Sequence, residues 1–196
     1  MIDKKYVLGI VGSPRRGGNT EILVDRVLAG AEEDGLTTEK IILNELNIKP
    51  CQACNSCYKT GECIHKDDMV NIQEKMELSN VWVLGTPIYW WGPTAQFKIF
   101  LDRWYSPMHE SFKGKKVILV IPLGGGHERY ARHTIGIFTD VLDYLGMDLI
   151  TTILAPGYNE RGAVCKDSKL LTKAYKAGRE VIKMIGKSSN FKSGIS

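Results

Sequence analysis

A chain of 196 residues, 43% hydrophobic and 24% charged, has room for a substantial buried core and the make-up of a soluble globular protein. Its formal net charge of +4 is mild and no single element gathers the basic residues, which argues against nucleic-acid binding. No apolar run approaches membrane-spanning length, and the first five residues lack a signal-peptide profile, so a cytoplasmic protein is expected.

Tyr6–Val11 is a short, mostly apolar run and reads as a buried strand. The stretch Gly12-Ser13-Pro14-Arg15-Arg16-Gly17-Gly18-Asn19-Thr20 follows, and then Ile22, Leu23, Val27, Leu28 and Ala31 recur at helical spacing. A glycine-rich turn between a strand and a helix points backbone N–H groups at the positive end of a helix dipole, which is an anion site. Arg15 and Arg16 add charge, Ser13, Asn19 and Thr20 add short side-chain donors, and Gly18 belongs to the same cradle. The stretch lacks the Gly-Lys-Ser/Thr ending of a triphosphate loop and the dinucleotide Gly-x-Gly-x-x-Gly pattern. A single terminal phosphate, as on FMN, fits better. The competing reading is an ordinary Gly/Pro turn with solvated arginines.

Residues 37–43 read as a second strand, less uniformly apolar and so at a sheet edge. Four of the five cysteines then fall within thirteen residues, as Cys51-Gln52-Ala53-Cys54-Asn55-Ser56-Cys57 and Cys63. In a reducing compartment such a cluster is more readily a metal site than a pair of disulfides. Two x₂ gaps wrap three thiolates round one side of a group, and Gly61 lets the chain turn back to deliver the fourth. Four soft thiolates suit an iron–sulfur cluster, and the compact spacing favours iron; tetrahedral zinc or free thiols are the alternatives. Cys165 stands apart as a bystander.

A helix is predicted to begin near Asp67, with Met69, Ile72 and Met76 on one face. Val81–Gly85 is a third strand, and the loop after it carries Pro87, Ile88, Tyr89, Trp90, Trp91 and Gly92. Aromatics after a strand can stack on a flat ring, and loop amides can bond its polar edge; the alternative for Trp90 and Trp91 is packing on the core or at a subunit contact. A helix starting at Pro93 carries Phe97, Phe100, Leu101 and Trp104. A fourth strand at 117–123 leads into Gly124-Gly125-Gly126-His127, where Gly124 and Gly125 give unhindered approach to a planar ligand. A helix with Ile135, Phe138, Leu142 and Leu145 stops at Gly146, a fifth strand occupies 149–154, and a last helix runs over about 169–185. None of the four histidines is assigned a catalytic part.

Continuous apolar strands alternating with helices predict one doubly wound α/β domain at 1–187, a five-stranded parallel sheet in three layers, with a cysteine insertion at about 50–64 and a polar tail at 188–196. Ligands in such sheets sit beyond the carboxyl ends of the strands. The loops at 12–20, 86–92 and 124–127 all fall there.

The Gly-Ser-Pro-Arg-x-Gly-Gly-Asn-Thr stretch and the Thr-Pro-x-Tyr loop with Ala95, Lys98, Asp102 and Arg103 after it resemble the NAD(P)H-dependent FMN reductase and iron–sulfur flavoprotein family. The Cys-x₂-Cys-x₂-Cys-x₅-Cys motif, followed by Lys66-Asp67-Asp68-Met69, is similar to that of its iron–sulfur members. The resemblance, which runs from Tyr6 to about Ile185, implies a flavodoxin-like fold, FMN, a [4Fe–4S] cluster, and a homodimer or homotetramer. A cluster that passes single electrons calls for an external one-electron donor such as a ferredoxin, the cluster-free relatives suggest NAD(P)H, and the acceptor is a small molecule or a protein. Lys98, Asp102 and Arg103 are read as structural or interfacial. A cluster-free NAD(P)H-dependent FMN or quinone reductase, and a non-enzymatic binding module with structural zinc, are the other two readings.

Overall fold

The structure, a computed structural model, describes residues 5–185. Five parallel strands, β1 (Tyr6–Val11), β2 (Thr37–Ile42), β3 (Val81–Gly85), β4 (Lys116–Leu123) and β5 (Asp148–Pro156), form one sheet in the order β2-β1-β3-β4-β5. This is the flavodoxin-like order expected of a doubly wound sheet. β2 lies at an edge, as its mixed composition predicts.

Five α-helices cover the sheet, α1 (Asn19–Glu33), α3 (Met69–Leu78), α4 (Ala95–Asp102), α5 (Arg132–Tyr144) and α6 (Ser168–Met184), and the short α2 (Ser56–Thr60) lies in the cysteine segment. Alternation along the strands splits the apolar residues between two layers. Leu8, Ile10, Trp82, Leu84, Leu119 and Ile121 pack under α3, α4 and α5, with Phe97, Phe100 and Phe138. Val7, Val11, Val83, Ile118 and Val120 pack under α1 and α6, with Val24, Val27, Ala174 and Val181. Burying both faces is why these strands are apolar throughout.

Helix starts differ from the sequence expectation in two places. Pro93 precedes α4 instead of entering its first turn, because Thr94 takes the N-cap and its hydroxyl accepts from the Phe97 N–H at 3.3 Å. Asp67 lies before the start of α3, where its Oδ1 accepts from the Met69 N–H at 3.2 Å while its Oδ2 faces Arg103. Short α2 was not anticipated; it turns the cysteine segment between Asn55 (φ 58°) and Gly61 (φ 79°). The polar tail lies outside the described residues. Among these residues no helix is long and apolar enough to cross a membrane.

Candidate functional site: a phosphate-loop cleft and a cysteine cavity

The carboxyl ends of β1, β3, β4 and β5 open on one cleft, lined by Ser13, Arg15, Asn19 and Thr20 from the first loop, by Pro87, Ile88 and Tyr89 from the second, and by Gly124 from the third. Two bonds fix its inner wall: the Gly12 N–H donates to Gly85 O at 2.8 Å, and the Thr94 hydroxyl donates to Gly12 O at 2.6 Å. Gly18 is the N-cap of α1 and offers no side-chain cap, so the N–H groups of the first helical turn remain open to a ligand. Gly18 also has to be glycine, since a Cβ there would stand 2.7 Å from Arg15 O.

The loop's polar side chains divide into those that face the cleft and those that build it. Arg15 lines the cleft, with its Nη1 donating to Asn159 O at 3.0 Å. The Ser13 hydroxyl oxygen accepts from the Arg15 N–H at 3.2 Å, leaving its own proton to donate. Asn19 lines the cleft, yet its amide nitrogen donates to Tyr158 O and Glu160 O, and its Oδ1 accepts from the Val164 N–H. Its side chain is therefore fully occupied inside the protein, and only its backbone can serve a phosphate.

Arg16 does not line the cleft. Its guanidinium pairs with Glu21 at 3.0 Å and Glu45 at 3.1 Å. Glu21, buried beneath the loop, also takes the Gly17 N–H at 2.7 Å and Lys40 at 2.9 Å. Burial pushes its carboxyl up, but the hydrogen bonds from Lys40, Gly17 and Arg16 prevail and hold it at about 2. The carboxylate thus remains ionised and keeps the loop closed on α1.

Trp90, Trp91 and Gly92 are also absent from the cleft lining. Tyr89 and Gly92 exchange two backbone hydrogen bonds, at 3.0 and 3.1 Å, across a two-residue turn. That turn requires positive φ at both central residues, here Trp90 (49°) and Trp91 (63°). It points them outward: Trp90 is 91% exposed, and Trp91 meets the edge of Tyr130 with ring centroids 6.5 Å apart. Gly125 likewise leaves the lining and supports it instead, its carbonyl accepting from the Gly157 N–H at 3.0 Å.

No local sequence pattern points to the segment after β5. Tyr158, Asn159 and Arg161 line the cleft, and the Arg161 guanidinium lies beside Gly17 of the first loop. Arg15, Arg161 and the start of α1 make the site cationic, the charge an anionic phosphate needs. The signal was present only as a polar run, Asn159-Glu160-Arg161-Gly162, with nothing local to attach it to residues 140 positions earlier.

The four cysteines of the motif come together separately. Cys51, Cys54, Cys57 and Cys63 line one cavity at the end of α4, whereas Cys165 is exposed elsewhere, in a 3₁₀ turn before α6. Among the described residues no three His, Cys, Asp or Glu side chains converge at single-ion spacing. Three features nonetheless fit a thiolate-bound group. His65 Nε2 and Ser106 Oγ belong to residues lining the cavity, and both atoms are buried without a partner. Arg103 Nη2 and the Ala53 N–H each donate to a cysteine sulfur, Cys63 and Cys51 respectively, both at 3.4 Å. Ala53 holds φ 50°, an uncommon backbone state for a side-chain-bearing residue and one concentrated at functional sites.

Comparison with known proteins adds the following. The profile of the NADPH-dependent FMN reductase family matches residues 6–155. An iron–sulfur flavoprotein of Methanosarcina thermophila is 31% identical over 145 residues, 74% of this chain and 76% of that protein. An iron–sulfur flavoprotein of Methanocaldococcus jannaschii is 42% identical over 97 residues, 50% of each chain; the match thus spans about half the length of that relative. Among solved structures, an archaeal flavodoxin superposes with a TM-score of 0.60 at 12% identity, covering 93% of this chain and 99% of that one, which bears on the fold alone.

Proposed function

Because the chain belongs to the NADPH-dependent FMN reductase family, we propose that it is a flavin-dependent oxidoreductase passing electrons between a [4Fe–4S] cluster, FMN and an external donor of the ferredoxin type. The observation that carries the reading is the cavity shared by Cys51, Cys54, Cys57 and Cys63, with His65 Nε2 and Ser106 Oγ left without partners in its lining. When bound, the flavin supplies one- or two-electron transfer and the cluster single-electron transfer.

The chain's own part is to bind and orient. Arg15, Arg161, the Ser13 hydroxyl and the open N–H groups at the start of α1 would hold the phosphate. Pro87, Ile88 and Tyr89 would flank the ring system, and Gly124 would allow close backbone approach. The four thiolates would ligate the cluster. No side chain is assigned as acid or base.

The experiment is anaerobic purification followed by iron, sulfide, zinc and flavin analysis, then stopped-flow mixing. Flavin should be reduced rapidly by reduced ferredoxin in the wild type and much more slowly in Cys54→Ala. The family's description favours a second reading, a cluster-free reductase. Rapid reduction by NADH or NADPH that survives Cys54→Ala, with ferredoxin inert, would establish it in place of the first. Stoichiometric zinc without sulfide would make the cysteines structural.

A further inference from the structure

Arg103, which caps the end of α4, is 4% exposed, and its guanidinium is held by three hydrogen bonds. Its Nη1 donates to Lys49 O at 2.9 Å and to Asp67 Oδ2 at 2.7 Å, and its Nη2 donates to Cys63 Sγ at 3.4 Å. Asp67 is clamped in turn: Oδ2 accepts from the Lys49 N–H at 2.8 Å and Oδ1 from the Met69 N–H. With both side chains of this pair nearly inaccessible to water, Arg103 has no room to swing off the sulfur.

A buried ion pair is poor evidence for stability, since apolar residues of equal volume commonly do as well. What Arg103 and Asp67 supply, and an apolar pair could not, is a fixed cationic donor at one thiolate. We infer that Arg103 is a positioning residue for the cysteine cavity: it holds the Cys63 sulfur in place and, as a permanent cation, favours the more negative redox state of the group bound there. The inference rests on the proposed cluster. Taking up one electron adds one negative charge with no bond made or broken in the protein. A cation in contact with a ligand sulfur stabilises that charge, and hydrogen bonds to sulfur are among the groups that set such potentials. Ser106, three residues on, lines the same cavity and its buried hydroxyl has no partner within the protein, so a second donor is available beside Arg103.

The test uses anaerobically reconstituted wild type, Arg103→Gln and Asp67→Asn, with iron and sulfide per chain and the cluster potential read by redox titration. Arg103→Gln keeps a donor without the charge; at a fixed ambient potential its reduced-to-oxidised ratio should fall about tenfold, which for one electron is about 59 mV. Asp67→Asn removes the counter-anion and should move the ratio the opposite way. Opposite signs are the signature, because a merely structural role would shift both variants alike or neither. If only one of them folds, that one decides by its own sign. An unchanged ratio, or the same direction in both, overturns the inference. Wild type lacking iron and sulfide overturns the cluster reading, and the inference with it, before any variant is compared.

Discussion

The side-chain amide of Asn19 donates to Tyr158 O at 3.0 Å, joining the first turn of α1 to the loop after β5. The same nitrogen reaches Glu160 O at 2.8 Å, and Asn19 Oδ1 accepts from the Val164 N–H. One side chain therefore registers the two halves of the cleft. Asn19→Ala leaves a buried Val164 N–H and two carbonyls without these partners; an unsatisfied buried group costs about 1–3 kcal/mol. Urea unfolding should show a loss in that range, and flavin titration should show at least tenfold weaker FMN binding as Arg161 drifts from the phosphate loop. Weaker stability with unchanged FMN affinity would separate the staple from the site.

Two adjacent arginines make a paired experiment. Arg15 lines the cleft, whereas Arg16 is occupied by Glu21 and Glu45. Arg15→Glu should weaken FMN binding by tenfold or more, since a hydrogen bond to a charged group contributes about 1.5–3 kcal/mol and the variant adds repulsion. Arg16→Ala should stay within about twofold. Fluorescence titration decides, and equal losses in both would return Arg16 to the phosphate site.

Glu21 gives the apoprotein a pH signature. Its carboxyl sits at about 2, below the ordinary 4.5, so between those values the unfolded chain binds the proton that the folded chain refuses. Its contribution is fully present above about pH 4.5 and is lost as pH falls toward about 2. Urea midpoints measured across that window should fall less steeply in Glu21→Gln than in the wild type. Parallel curves would mean that the carboxylate titrates normally.

Much of this was legible in the residues. Unbroken apolar runs such as Val81–Gly85 fix a strand covered on both faces, and Gly12 to Thr20 between a strand and a helix locates the cleft. What escaped was long-range or conformational. Arg103 meets Cys63 across 40 residues, and Arg161 returns to Gly17 from the far end of the chain. No local pattern announces either contact. For Trp90 and Trp91 composition reports only stacking capacity, whereas the turn that aims them outward depends on φ values that tryptophan rarely adopts.

The cysteine motif predicts a selective loss. Cys51, Cys54, Cys57 and Cys63 share a cavity that Cys165 does not enter. Cys54→Ala should abolish the broad visible absorption that overlaps the flavin bands after anaerobic reconstitution, and Cys165→Ala should retain it with unchanged iron and sulfide. Loss of absorption in Cys165→Ala would place the ligand set elsewhere.

The tryptophan turn carries a stability prediction of the opposite sign. Left-handed backbone costs about 1–2 kcal/mol for a residue with a side chain, and turns of this geometry favour Asn-Gly. Trp90 is 91% exposed and its ring lies 6.2 Å from that of Trp91, so little burial offsets the strain. Trp90→Asn should raise stability by about 1 kcal/mol. Trp91→Gly should come out near neutral, because relief at φ 63° is balanced by the lost edge contact with Tyr130. The Thr134 hydroxyl bond to Trp91 O, at 3.0 Å, is to backbone and survives the change. Urea unfolding of the two single variants tests the difference. A Trp90→Asn protein less stable than the wild type would mean that the exposed indole is held by a contact formed in solution, and flavin-free gel filtration of both proteins would then identify whether that contact is with a second copy of the chain.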